Sequence, residues 1–171
     1  MSFSAFKELG FEQILLVEGV TDVKAIQQFL RMQDKDHKIV VIPLGGSAMV
    51  QGGTEHELAE LTRLSTKIAV LVDSERDAEN GPPAKDRAEF ETLCRRLKFN
   101  VCLTKRRSIE NYLTERAIRD EKGDKYRALG PYDKLSACPM RWAKTENWRI
   151  ARRMKWEEIK DTDVGAFIGG L

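Results

Sequence analysis

The sequence predicts an α/β fold, with a central, mainly parallel four-stranded sheet flanked by helices and a helical C-terminal part. Two observations carry this reading. Short aliphatic runs alternate with helix-spaced segments through the first hundred residues, and such alternation implies parallel strands joined by right-handed crossovers. The first run, Ile14-Leu15-Leu16-Val17, and the third, Ile68 to Val72, also stop abruptly in acid, at Glu18 and Asp73. A strand buried on both faces gains most from continued Val, Ile and Leu, so a terminal carboxylate has no folding reason to be there. It does lie where open α/β sheets place ligands, in the crevice beyond the carboxyl ends of the strands.

After the first strand, Thr21 or Asp22 can cap a helix whose apolar face is Val23, Ile26, Phe29 and Leu30. Asp34 to His37 reads as a polar turn, Ile39 to Leu44 as the second strand, and Gly45-Gly46-Ser47 as a tight turn. Thr54 and Glu57 have capping-box spacing ahead of a helix carrying Leu58, Leu61 and Leu64. The third strand leads into a polar loop, Ser74 to Gly81, ended by Pro82-Pro83. Pro83 suits a first helical position, and Phe90, Leu93, Cys94 and Leu97 line the helix that follows. Asn100 to Thr104 is the fourth strand. Beyond Thr114, which caps a helix with Ala117 and Ile118 inward, helical patterns dominate: one from Pro139 to Met154 and a short last one from Val164 to Leu171. With no linker or repeat, residues 1–171 read as a single domain, its core at about 11–115 and a helical extension at about 116–171.

Composition excludes several function classes. No apolar run approaches the roughly 20 residues of a spanning helix, and the N-terminus lacks a basic region followed by an apolar stretch, so the expected location is cytoplasmic, without a membrane partner. Cys94, Cys102 and Cys138 are odd in number and widely spaced, which argues against a zinc site or Cys–His catalysis and for reduced thiols. With 29 basic and 27 acidic residues the net charge is only +2, so distribution matters more than the sum. Bases cluster at Lys105-Arg106-Arg107 and from Arg141 to Lys155.

The acids that follow strands or sit in polar turns are Glu18, Asp22, Asp73, Glu75, Asp77 and Glu110. Two carboxylates about 4 Å apart repel by about 4 kcal/mol at an effective dielectric near 20, so a convergent cluster needs cations. All-oxygen donors select hard ions, which makes Mg²⁺ or Mn²⁺ the natural occupant, two ions rather than one, with Ca²⁺ a non-catalytic substitute. Such a pair supports in-line attack of water on a phosphodiester. Lys105, Arg106 and Arg107, between the fourth strand and Glu110, then become candidate nucleic-acid-binding residues that position a phosphate backbone. Taken singly, each acid is equally readable as a helix cap or a solvated loop residue; Asp77 is read as inert and Tyr112 as a packing or orienting residue.

Three segments carry a family resemblance: Ile14-Leu15-Leu16-Val17-Glu18-Gly19-Val20-Thr21-Asp22, Val41-Ile42-Pro43-Leu44-Gly45-Gly46-Ser47, and Val70-Leu71-Val72-Asp73-Ser74-Glu75. They resemble a Toprim domain, a Rossmann-like metal-binding fold. Arg107 to Leu113, with Lys144 and the end of the chain, is similar to the branch found in overcoming-lysogenisation-defect (OLD) family nucleases. The resemblance implies a Mg²⁺- or Mn²⁺-dependent endonuclease acting on nucleic acid, DNA foremost, in phage defence or DNA repair. It implies Glu18, Asp22, Asp73, Glu75 and Glu110 as metal ligands, and Glu18, Asp73 and Lys144 as catalytic residues. Asp73-Ser-Glu75 departs from the family's Asp-x-Asp. The chain has no GxxxxGK[ST] phosphate loop, so the ATPase that accompanies this branch is an expected partner domain or subunit. The alternatives are a non-catalytic metal- and nucleic-acid-binding module that acts beside such an ATPase, and an RNA-processing Toprim nuclease.

Overall fold

The computed structural model describes residues 9–45 and 55–171. Its strands are Gln13–Val17 (β1), Ile39–Pro43 (β2), Ile68–Val72 (β3) and Asn100–Leu103 (β4), all parallel in the order β2-β1-β3-β4. The aliphatic runs explain the order. β3 is buried at every position and β1 at all but Gln13, so these two occupy the centre, paired Leu15 to Ala69 and Leu16 to Val70. Pro43 is tolerated because β2 is an edge strand.

Side-chain alternation divides the core into two layers. Leu15, Val17, Ala69 and Leu71 face one side, and Ile14, Leu16, Val70 and Val72 face the other. The second layer is covered by helices Glu55–Leu61 (α2) and Lys85–Arg96 (α3), through Leu58, Phe90 and Cys94. The first is covered by Val20–Arg31 (α1) and by the C-terminal helices Glu115–Lys122 (α4), Asn147–Arg153 (α5) and Asp163–Gly170 (α6). Right-handed crossovers require this arrangement, because the chain moves one way from β1 to β2 and the other way from β2 to β3. The reversal makes the gap between β1 and β3 the topological switch point of the sheet.

Several local expectations change. α1 starts at Val20 with Gly19 as its cap, so Asp22 is not the cap; it lies three residues in, and its Oδ2 accepts the Gly19 N–H at 2.9 Å. α3 begins at Lys85, which leaves Pro83 ahead of the helix. α2 ends at Leu61, and tight bonds such as Leu64 N–H to Leu61 C=O at 3.0 Å turn the chain at three residues per turn. That rotates Leu64 off the apolar face, and it is 51% exposed. Thr54, Gly46 and Ser47 lie outside the described residues, so the expected cap and most of that turn do too.

The helix expected over Pro139 to Met154 is shorter. A 3₁₀ turn, Lys144–Glu146, precedes α5, and residues 139–143 are not helical. The reason is a buried hydrogen bond from Trp142 Nε1 to Asn147 Oδ1 at 2.9 Å. Residues five apart in a regular helix point about 140° away from one another, so that bond and a continuous helix exclude each other.

α6 sits close against the preceding turn because residue 165 is glycine. A Cβ there would fall 2.0 Å from the Ile159 carbonyl oxygen and 2.8 Å from Lys160 Cα. This approach brings Asp163 to the end of β4, where it accepts the Tyr112 hydroxyl at 2.8 Å and the Lys105 N–H at 2.7 Å. Among the described residues no helix is long and apolar enough to cross a membrane. Cys94 and Cys102 are buried and free, and burial pushes both thiols up to about 12, which keeps them protonated and unreactive.

Gly165→Ala is expected to lower unfolding free energy by about 3 kcal/mol through backbone overlap. Urea denaturation followed by circular dichroism measures this.

Candidate metal and nucleic-acid site

Each acid reaches the site by a different local device. Glu18 follows β1 directly, and α1 turns back from Gly19, which holds Asp22 over the same strand end. Asp73 follows β3, and its Oδ1 accepts the Ile109 N–H at 2.9 Å. Glu110 lies in a 3₁₀ turn, Ile109–Tyr112, anchored by Asn111. The Asn111 Oδ1 accepts the Ser108 N–H at 3.0 Å, and its Nδ2 donates to the Gly130 and Asp133 carbonyls at 2.6 and 3.0 Å. A small cavity at the switch point is lined by Glu18, Asp22 and Asp73 with Ile26 and Ile109. Three of the five expected ligands thus line one cavity over β1 and β3, and Glu110 directly follows Ile109, which lines it too.

Their electrostatics are those of one cluster. Burial raises the Glu18 carboxyl above its ordinary range, Asp22 and Glu75 add to the effect, and Arg87 opposes it. Burial also raises Asp22, reinforced by Glu110. Asp73 is raised furthest, first by burial and then by repulsion from Glu110, Asp22 and Glu18. Glu110 runs the other way. Burial acts to raise it, but Lys144, with the nearby Ser108 hydroxyl and the bond from Asn147, outweighs that and holds it below the usual range. Lys144 is pulled down by burial, yet Glu110, Asp73 and Asp22 prevail and raise it, so it is a cation at neutral pH.

Three protein cations balance these acids. The Arg87 guanidinium, side chain 5% exposed, donates from Nη2 to Glu18 Oε1 at 2.6 Å. Lys144 Nζ lies 3.2 Å from Glu110 Oε1, which also accepts from Asn147 Nδ2 at 2.9 Å. Arg107 clamps Glu75 with one arm and Asp77 with the other, the latter at 2.5 Å. Asp77 is therefore a structural partner. The clamp holds Glu75 in left-handed backbone, φ 55°, a conformation that costs a residue with a Cβ about 1–3 kcal/mol. Glu75 N–H donating to the Arg107 carbonyl at 2.9 Å completes the lock.

The three candidate backbone-binding cations have separate fates. Lys105 is exposed. Arg106 stacks over the Tyr112 ring at 4.8 Å and donates to the Asn111 carbonyl at 2.6 Å. Arg107 is mostly buried in its clamp. Sequence reasoning missed Arg87 and Asn147. Arg87 had a signal: it stands three residues before Phe90 and seven before Cys94, on the buried stripe of α3, where an arginine needs an acidic partner. Asn147 had none.

The donors are carboxylate oxygens, the type that hard divalent cations take. Glu18 Oε2 and Glu110 Oε2 are buried carboxylate oxygens without a hydrogen-bond partner, and an orphaned buried carboxylate oxygen needs a positive neighbour. Among the described residues, the set of three possible ligands whose donor atoms come within 4.8 Å of one another is Asp34, Asp36 and His37, in the exposed turn after α1. The five carboxylates are spaced more loosely, Glu18, Glu75 and Glu110 held by the cations described above and Asp22 and Asp73 by the Gly19 and Ile109 N–H groups. Comparison with protein-family models, with curated proteins and with solved structures finds no match.

A carboxyl whose native pKa is raised favours the folded state only while protonated, so its contribution is lost as pH rises above the ordinary value near 4 toward the native one. Asp73→Asn keeps an acceptor for the Ile109 N–H and removes this loss. It is expected to melt higher than wild type at pH 8 in EDTA, the difference vanishing near pH 4, by calorimetry. Arg87→Met leaves Glu18 without its counter-ion and is expected to cost about 3 kcal/mol, measured by urea denaturation at pH 7.

Proposed function

We propose that this chain is a Toprim-type, OLD-like nuclease domain that hydrolyses phosphodiester bonds of DNA with Mg²⁺ or Mn²⁺. The observation that carries the reading is that Glu18, Asp22 and Asp73 line one cavity at the switch point and repulsion from Glu110 reaches Asp73, with unpartnered oxygens on Glu18 and Glu110. Single helix caps do not converge in this way. Glu18, Asp22, Asp73 and Glu110 are the residues that would hold the ions, with Glu75 at the cleft side. When bound, the ions supply an activated water and stabilise the leaving oxygen.

The remaining roles belong to the chain. Lys144, cationic and half-exposed beside Glu110, faces both the acids and the open cleft, where it stabilises charge developing on the phosphoryl group. Asn147 holds Glu110 in register for it. Arg87 opposes the rise that burial imposes on the Glu18 carboxyl.

A second reading is a metal- and nucleic-acid-binding module that becomes active only with an ATPase partner. The loose spacing of the five carboxylates favours it, since ion binding then needs them drawn together.

Plasmid DNA incubated with Mn²⁺ is expected to be cut by wild type, not detectably by Glu18→Ala or Asp73→Ala, and about 100-fold more slowly by Lys144→Ala. Equal cleavage by all four proteins overturns the nuclease reading. Mn²⁺ binding by calorimetry without cleavage selects the partner-dependent module, and digestion of structured RNA in preference to DNA selects an RNA-processing role.

A further inference from the structure

A cavity of about 310 Å³ opens beside the acid cluster, between Glu110 and the segment 134–142. Its walls hold four cations, Arg107, Lys134, Arg141 and Lys144, against two carboxylates, Glu75 and Glu110. Arg107 and Lys144 are engaged with acids of the cluster. The other two are exposed and barely committed. Lys134 Nζ is 3.7 Å from Asp77 Oδ1, an acid whose side chain is 79% exposed. Arg141 makes one hydrogen bond, to the Ser136 carbonyl at 3.2 Å, and forms no carboxylate pair among the described residues. A guanidinium has five donors, so most of Arg141 remains for a ligand. Leu135 and Trp142, 9% and 4% exposed, give the cavity a narrow apolar edge, and the indole is fixed by its bond to Asn147.

Uncommitted cations beside a narrow apolar edge match a group that is anionic at one end and apolar at the other. The volume lies at the small end of the range for ligand sites, about 300–1,000 Å³. That admits one nucleotide unit and excludes a paired duplex. We infer that the cleft between Glu110, Lys134 and Arg141 is a subsite for a single unpaired nucleotide of the substrate strand. Arg141 and Lys134 hold its phosphate, and its base lies against Leu135 and Trp142. The inference rests on the nuclease reading only for what happens to the neighbouring phosphodiester; occupancy of the cleft needs no metal.

The experiment is calorimetric titration of the full chain in EDTA with thymidine 5′-monophosphate and with inorganic phosphate, followed by Mn²⁺-dependent cleavage of a fully paired duplex and of the same duplex carrying a single-stranded flap. The nucleotide is expected to bind saturably and at least about tenfold more tightly than phosphate, since its base adds contact with the apolar edge that phosphate cannot make. Arg141→Glu and Lys134→Glu, both at exposed positions, are expected to weaken it tenfold or more, and the flapped duplex is expected to be cut faster. Absence of nucleotide binding, equal binding of phosphate, or unchanged affinity in both variants overturns the subsite even if plasmid cleavage persists. Nucleotide binding without any cleavage leaves the subsite standing and overturns the nuclease reading instead.

Discussion

The structure depends on burying carboxylates at the ends of its two central strands. Glu18 and Asp73 must sit there because β1 and β3 run parallel side by side and end together. Burial alone would drive both toward protonation. Arg87 from α3 counters it at Glu18 and Lys144, from the turn before α5, at both Glu18 and Asp73, while Arg107, from the turn after β4, pairs with Glu75 and Asp77. The helices on both faces of the sheet are thereby committed to one small region, α3 through its arginine and the C-terminal part through Lys144 and Asn147.

The same constraint accounts for the tension within the site. A pocket with enough protein cations to survive by itself is not the tightest cage for an ion. Glu110 illustrates the balance, with one oxygen shared by Lys144 and Asn147 and the other left without a partner. Glu75 is further toward the protein side, locked by Arg107 in left-handed backbone. The departure from Asp-x-Asp noted in the sequence has a physical counterpart here, because the longer side chain reaches a guanidinium at the cleft wall.

Much of the architecture was legible in residues 13 to 103. Four aliphatic runs of strand length, separated by helix-spaced apolar positions, leave few alternatives to a parallel sheet, and the acids after Val17 and Val72 pointed to the strand ends. The less legible parts each have a physical cause. The helix expected from Pro139 broke because Trp142 bonds Asn147, a contact that periodicity cannot reveal. Leu64 left its face because α2 tightened before β3. Arg106 and Arg107 form a basic run in the sequence, but stacking on Tyr112 and clamping of two acids turn them inward. Arg87 was visible in principle, as a charge on an apolar stripe, whereas Asn147 could be assigned only once the C-terminal segment had been placed in space.

The origin of the counter-charges bears on how the chain reaches its native state. The bond from Arg87 to Glu18 spans 69 residues and that from Asn147 to Glu110 spans 37, so both close large loops. Parallel pairing of β1 with β3 is itself non-local, Ile14 meeting Ile68 across 54 residues, so the strand ends and their counter-charges are joined by contacts of comparable range, the kind that slows folding. The acid pocket is thus closed from a distant part of the sequence, by Lys144 and Asn147 of the C-terminal segment.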